Sequence, residues 1–263
     1  MTSTLGCIGF DSAGRAELLT TVGRLAHSAR PLGTADGVEV LRWEDPSGAR
    51  LTFDRLRDRL VAFVPSFAGR PGVLLRNCRT VGTKVVVGDV LDSAGAQMTV
   101  MGFELEQRRA LATDEQWSGT AAVTGFARTA EFFDDRTAYS RSPYSLLDPA
   151  TADDEVAPEH QLDTVRKRTE RMAAESFIPW GLFGDGTDPS AEARLNGTVV
   201  EATLRRNTVT GTRFLSARVT CMGFEIDLVA AWDRDEPPTP GSIVAAELFL
   251  IASIDSLTFE GAA

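Results

Sequence analysis

Two segments of the chain carry nearly the same sequence, and this near-repeat constrains the fold more than any other feature. AQMTVMGFELE occupies residues 96–106 and ARVTCMGFEID occupies residues 217–227, with six of eleven positions identical. Both segments are rich in apolar and β-branched residues of the kind that favour strands. We predict a duplicated β module; a chance similarity between two amphipathic strands is the alternative interpretation.

In both copies the apolar alternation changes phase immediately before the glycine, at Met101 in the first copy and at Met222 in the second. Side chains of a strand alternate with a period of two, so a change of phase requires an extra residue or a sharp bend, often at glycine. We therefore predict the same strand bend in both copies, with Glu104 and Glu225 pointing to solvent. Strongly bent strands are typical of small barrels or curled sheets.

The patterns around the repeat extend this prediction to the whole chain. The predicted fold class is α+β, predominantly antiparallel β. The predicted domains are a βαβββ unit at residues 1–71, two related curled β-barrel-like or sandwich modules at 72–140 and 191–263, and a connecting segment at 141–190.

The N-terminal unit is predicted from a helical stripe between strand patterns. LGCIGFD at residues 5–11 is a short apolar strand candidate, and apolar residues at Leu18, Val22 and Leu25 then recur at helical spacing. GVEVLRWED and ARLTFD follow as strands joined by Asp45-Pro46-Ser47-Gly48, whose residues suit a type I turn. RLVAFVPSF supplies the last strand of the unit.

A βαβββ unit containing WEDPSGARLTF resembles a module of the vicinal oxygen chelate family, the glyoxalase and bleomycin-resistance type. The resemblance covers about a quarter of the chain and depends on one turn motif. It implies a metal-binding Glu at the position of Thr52 and a metal-binding His near Thr4. Since threonine stands at both positions, the resemblance implies a fold without the family's metal site.

Composition limits the classes of partner and compartment. The formal net charge is −10, and an acidic surface disfavours nucleic acid and anionic membranes. Three widely spaced cysteines predict no disulfide framework and a cytoplasmic location, and no apolar stretch is long enough to span a membrane. Partners are not identified by the sequence, and a homodimer through the β modules stays open.

The connecting segment has a distinct charge order. Residues 145–165 contain six acidic and no basic residues, and a basic run follows at 166–171. This order favours a short helix at 158–175 after an acidic loop. A segment so poor in large apolar groups buries little surface, so we predict that 148–157 is the most mobile internal segment.

The sequence predicts neither a catalytic triad nor a metal site, and no cofactor. Only His27 and His160 are present; neither pairs recognisably with a nucleophile, and no His or Cys spacing suits zinc. His27 near a helix C-terminus is explained by the helix dipole, and His160 lies among acids. The Gly- and Asp-rich GDGTDP at 184–189 is interpreted as a turn rather than a calcium site.

Three functional interpretations follow. The first is a non-catalytic binding or scaffold protein. The second is a metal-free small-molecule binding protein or enzyme, in which Trp43, Phe53 and Phe63 stack on an apolar ligand or else form core. The third is a single-strand nucleic-acid binder that uses a basic strand face, whose candidate residues are Arg205, Arg206, Arg213 and Arg218. A solvated arginine face is the alternative for that set.

Overall fold

The computed structural model describes residues 3–10, 14–111, 116–147, 170–183 and 188–254. The fold is α+β and mostly antiparallel β, as the sequence predicts. A four-stranded sheet belongs to the N-terminal unit, and a nine-stranded sheet contains both predicted β modules. Residues 72–140 and 191–263 therefore do not form two separate sheets.

The N-terminal unit differs from the predicted βαβββ order. The expected first strand is a 3-10 helix at Gly6–Ile8, because Gly9, at φ 85°, ends the segment in a left-handed conformation that an extended strand does not have. Helix α1 (Arg15–His27) follows. Four strands then form an antiparallel meander: β1 (Arg30–Ala35), β2 (Val38–Glu44), β3 (Ala49–Leu56) and β4 (Arg59–Phe67). Strand β1 was not predicted.

The larger sheet is built from two sets of strands. The first set is β5 (Val73–Val81), β6 (Val85–Leu91), β7 (Gln97–Leu105) and β8 (Trp117–Phe133). The second is β10 (Glu192–Arg206), β11 (Arg213–Cys221), β12 (Phe224–Ala231) and β13 (Ile243–Ser253). A short strand, β9 (Ser176–Ile178), pairs with β10 at the edge.

The long strands β8 and β13 pair antiparallel and connect the two sets. On the other edge of β8, β5 pairs with residues 117–121 and β12 runs parallel to residues 124–126. On the other edge of β13, β10 pairs with residues 243–249 and β7 runs parallel to residues 251–252. The strands thus form two closed circuits: circuit A is β8-β5-β6-β7-β13, and circuit B is β13-β10-β11-β12-β8.

The two strand sets have the same order. In each set three consecutive strands form an antiparallel meander, and the fourth pairs with the first. Each circuit is completed by the last strand of the other set, so β13 closes circuit A and β8 closes circuit B. The boundaries predicted at 72–140 and 191–263 follow the strand sets but cut through both closed circuits.

The repeated MGF segments occupy different places, so the predicted common strand bend is wrong. Met101 and Gly102 lie inside β7, where Gly102 pairs with Val87. Met222 and Gly223 form the two-residue turn between β11 and β12, with φ of 49° and 89°. Positive φ at both positions is characteristic of a type I′ turn, a common connection in two-residue hairpins. The phase change of the second copy is a chain reversal rather than a bend.

One continuous apolar core fills both circuits. It includes Leu75 and Phe103 from circuit A, Leu215 and Leu228 from circuit B, and Leu248 from the shared strand β13. Strand β8 is seventeen residues long and contains a bulge. Ala127 pairs with Leu248 and Thr129 pairs with the adjacent Glu247, so one residue of β8 between them has no partner on β13. A bulge shifts the alternation by one residue, which lets the two halves of β8 serve one core.

A second apolar cluster attaches the N-terminal unit to the larger sheet. The rings of Phe67 and Phe214 meet edge to face at 6.3 Å between centroids. The Asn207 amide donates to Ile8 O at 2.9 Å, and the Cys7 thiol donates to Ala127 O at 3.2 Å. The 3-10 helix therefore lies between the small sheet and circuit B.

The connecting segment is described in part. Helix α2 (Arg136–Arg141) leads into this segment, and the side chain of its N-cap residue, Asp135, accepts from Ala138 N at 2.7 Å. The acidic loop predicted at 148–157, and most of the helix predicted at 158–175, lie outside the described residues; residues 170–175 are not helical. None of the helices in the described part of the chain has the length and apolar character needed to cross a membrane.

Candidate functional site

The three aromatic residues proposed to hold an apolar ligand lie in or against the second core. Phe53 is fully buried, and its ring centroid lies 6.5 Å from that of Phe63. Trp43 packs edge to face on Phe10 at 6.0 Å. Both Trp43 and Phe63 are half-buried. Phe53 therefore has no surface left for a ligand, and the structure uses all three rings for packing.

The four arginines do not form one basic face. Arg205 and Arg206 are exposed near the end of β10. Arg213 lies opposite Arg206 in the β10–β11 register and pairs with Asp235 at 3.3 Å. Arg218 is buried, with its side chain 4% exposed. The four arginines are close in sequence but differ in their burial.

Arg218 anchors the segment that joins the two sheets. Its Nη1 lies 2.9 Å from Asp227 Oδ2 and donates to Arg70 O at 3.0 Å, while its Nε donates to Glu225 at 2.9 Å. Asp227 also accepts from Arg70 N at 2.7 Å. Burial raises the pKa of Asp227, and the positive charges of Arg218 and Arg70 oppose the shift. This is a structural ion pair that fixes residues 69–72.

Thr52, where the family resemblance implies a metal-binding Glu, belongs to a second ionic cluster. Its hydroxyl donates to Glu106 Oε1 at 2.8 Å, and Arg42 Nε lies 2.6 Å from the same oxygen. Arg108 and Arg109 both bind Asp54 Oδ2, at 2.6 and 2.9 Å. These contacts join the small sheet to the end of β7. No group of three or more metal-ligating side chains was found in the described ranges.

The remaining chemically reactive groups have local roles. His27 Nδ1 lies 2.7 Å from Gly23 O within α1, and His160 lies outside the described residues. Burial raises the pKa of both Cys78 and Cys221 to about 12, so these thiols are protonated at neutral pH. Burial also raises the pKa of Glu104, which we predicted to point to solvent and which is half-buried.

A cleft opens in the wall of circuit B where the parallel strands β8 and β12 separate. Their pairing ends at Phe126 and Val229, and the cleft of about 190 Å³ is lined by residues 127–130 and 230–234. Along the cleft, β8 pairs only through its other edge, with β13. The first carbonyl beyond the pairing, Ala127 O, is taken by the Cys7 thiol. The backbone of two strand ends therefore borders the cleft.

Aromatic and charged side chains shape this cleft. Trp232 meets Phe132 edge to face at 5.4 Å, and its indole N–H donates to Glu236 O at 3.1 Å. The Arg234 guanidinium lies 5.3 Å from the Trp232 ring centroid, within the range of a cation–π contact. Arg128 lines the cleft, but its guanidinium pairs with Glu192 and lies over Phe249. The cleft thus has one aromatic ring in its lining, one ion-paired arginine, and a second arginine that contacts the ring.

Sequence reasoning missed Trp232, Phe132 and the separation of β8 from β12. AAWDRD at residues 230–235 contains a signal, since a tryptophan follows an apolar strand directly and precedes alternating charges. The proximity of Phe132 depends on the parallel pairing of strands about 100 residues apart, for which the local sequence has no pattern. Searches among protein-family models, curated proteins and solved structures found no match to this chain.

Proposed function

We propose that the protein is a non-catalytic binding protein and that the β8–β12 cleft is its ligand site. The observation that carries the proposal is the separation of two parallel strands, which leaves backbone edges and Trp232 around about 190 Å³ of space, with Phe132 packed against the Trp232 ring. Small-molecule sites are concave and fix their ligands with a few placed polar groups. This cleft presents mostly polar surface, with the Trp232 ring beside it.

The chemistry of the buried charged groups supports a binding role. Asp54, Glu106 and Asp227 each contact at least one arginine and stabilise contacts between elements. A general acid or base requires a carboxylate or imidazole placed against a substrate. These three carboxylates instead face segments of their own chain.

Single-strand nucleic-acid binding is the less favoured proposal. Arg218 is buried and Arg213 is paired, so only part of the arginine set is available to phosphates. The formal net charge of −10 opposes the approach of a polyanion.

Two further parts of the proposal rest on sequence together with topology. We place the protein in the cytoplasm because its three cysteines are few and widely spaced. We also propose that the two strand sets descend from one duplicated module. The common strand order supports this second idea, while the different positions of the MGF segments imply that the copies have shifted in register.

A small-molecule screen observed by NMR tests the ligand site. We expect compounds that bind to shift the backbone amide signals of residues 127–130 and 230–234. Ala231→Leu adds bulk to a cleft-lining residue and should abolish these shifts. Ala16→Leu, on the exposed face of α1, is the matched control and should retain them. Hits that cluster elsewhere, or that bind equally well to Ala231→Leu, would show that the cleft is not the site.

A further inference from the structure

Circuit A contains a gap corresponding to the cleft of circuit B, and the chain fills it with its own carboxamide. The parallel pairing of β7 with β13 ends at Leu105 and Ala252, where Glu106 N still donates to Ala252 O at 2.8 Å. Beyond that point Gln107 Oε1 accepts from Ile254 N at 3.2 Å. Its Nε2 lies 3.4 Å from Ile254 O and 3.3 Å from Ser253 Oγ.

The Gln107 side chain therefore replaces a strand. One amide group presents an acceptor and a donor side by side, and these satisfy the N–H and C=O of one backbone residue as a neighbouring strand does. Gln107 is only 4% exposed, so leaving these groups without partners would carry the cost of burying unpaired polar atoms.

Circuit B has the same topology without the corresponding amide. After Phe126 and Val229 the strands separate, and Cys7 takes only the first carbonyl, Ala127 O. Gln107 lies two residues beyond the last parallel pair of circuit A, and the same count in circuit B gives Ala231. The next residue, Trp232, lines the cleft and donates its indole N–H to Glu236 O. Among the described residues no carboxamide is recorded in this cleft.

We infer that the cleft of circuit B takes a ligand carrying an amide group, which binds the exposed strand edge as Gln107 binds Ile254. This inference rests on the proposed function and adds the ligand class. Trp232 and Ala130 supply apolar surface beside the edge, and Phe132 packs against the Trp232 ring. Because Arg128, the cation on the strand edge itself, is paired with Glu192, and Arg234 contacts the Trp232 ring, we expect the cleft to favour an uncharged amide over a free carboxylate.

Matched small molecules test the amide requirement. Propionamide, 2-butanone and propionate have similar size but differ in donor and charge. We expect propionamide to shift the signals of residues 128–130 and 231–233 saturably, and 2-butanone and propionate to bind about tenfold more weakly, since each loses a hydrogen bond. Equal binding of 2-butanone and propionamide would overturn the inference.

An amide can come from a small carboxamide or from an extended peptide. The tripeptide acetyl-Ala-Ala-Ala-methylamide distinguishes the two sources, because a peptide contacts a strand edge through several successive amides. A peptide that binds more tightly than propionamide indicates a peptide ligand, and weaker binding indicates a small carboxamide. Either result supports the inference, whereas no response at the cleft from either amide overturns it.

A variant that supplies the amide in the same chain gives an independent test. We expect Trp232→Gln to supply an amide from a residue that lines the cleft, next to the position that corresponds to Gln107, and therefore to abolish the response to propionamide. Trp232→Leu removes the same indole without adding an amide and should still respond. Equal binding by the two variants would overturn the inference. If other compounds bind the cleft and both amides fail, the inference is wrong and the proposed function stands; if no compound binds there, both are wrong.

Discussion

At the scale of single residues, burial decides which charged groups are structural. Arg205 and Arg218 are both strand arginines of the second set, yet one is exposed and the other is 4% exposed and bound to Asp227. A buried ion pair adds little net stability when intact, but removal of one partner leaves an uncompensated charge in the interior. The two arginines should therefore respond very differently to substitution.

We expect Arg218→Ala to lower the free energy of unfolding by about 3–5 kcal/mol, because Asp227 then stays buried without its cation. The exposed control Arg205→Ala should change it by no more than about 0.5 kcal/mol. Urea denaturation at pH 7 measures both. The double variant Arg218→Met with Asp227→Leu should recover much of the loss, and similar losses for the two single arginine variants would contradict this account.

Asp45 gives a prediction for the pH dependence of stability. Burial tends to raise its pKa, but hydrogen bonds from Ser47 and Thr208 outweigh burial and the pKa lies below the usual 3.8. A lowered folded-state pKa stabilises the protein above pH 3.8, and this contribution is lost as the pH falls through the folded-state value.

We therefore expect Asp45→Ala to lower the free energy of unfolding by about 1–3 kcal/mol at pH 7, because its hydrogen bonds are lost. The difference from the wild type should shrink as the pH falls below 3.8. Thermal or urea unfolding across pH 2–7 measures it. Glu247→Ala, an exposed residue on β13, is the control and should show little change. A difference that stays constant with pH would argue against a contribution from the charge.

At the scale of elements, the repeated tripeptide Met-Gly-Phe has a different structural role in each of its two copies. A Cβ built on Gly102 would lie 2.7 Å from Leu182 Cδ2, because the 3-10 helix at Trp180–Leu182 packs onto β7 at this point. Gly223 is needed for its φ of 89° in the β11–β12 turn. One glycine permits close packing, and the other permits a chain reversal.

A double-mutant cycle separates the two roles. We expect Gly102→Ala to destabilise the protein by about 1–3 kcal/mol through overpacking against Leu182. In the background Leu182→Ala this cost should largely disappear. Gly223→Ala should cost about 1 kcal/mol through backbone strain, with the same cost in both backgrounds. An equal response of both glycines to the Leu182 background would contradict the assignment.

At the scale of the whole molecule, the exchange of β8 and β13 couples the two circuits. Neither circuit is closed without a strand of the other set, and one apolar core runs through both. Two modules that shared only a linker would unfold separately, whereas modules that share strands lose their cores together. The larger sheet should behave as one cooperative unit.

We expect Leu75→Ala in circuit A and Leu215→Ala in circuit B to cost about 2–5 kcal/mol each, since both leucines are buried in the common core. Each substitution should lower the urea midpoint of a single unfolding transition, which is observed at amide signals from both circuits. Val61→Ala, an exposed residue of the small sheet, is the control. A substitution that shifts the unfolding midpoint of one circuit and leaves that of the other unchanged would show that the circuits unfold independently.

The sequence by itself determined the fold class, most strand positions and the α1 helix, because alternation, helical spacing and turn residues act over a few neighbouring residues. The strand predicted at residues 5–11 contains a 3-10 helix at Gly6–Ile8 instead, since a short apolar run is compatible with several conformations. Only the tertiary structure decided that β8 and β13 exchange between circuits, that Arg218 is buried, and that Trp232 meets Phe132 at a cleft. These features depend on contacts between residues about 100 to 150 positions apart, and the free energy of such contacts has no signature in the local sequence.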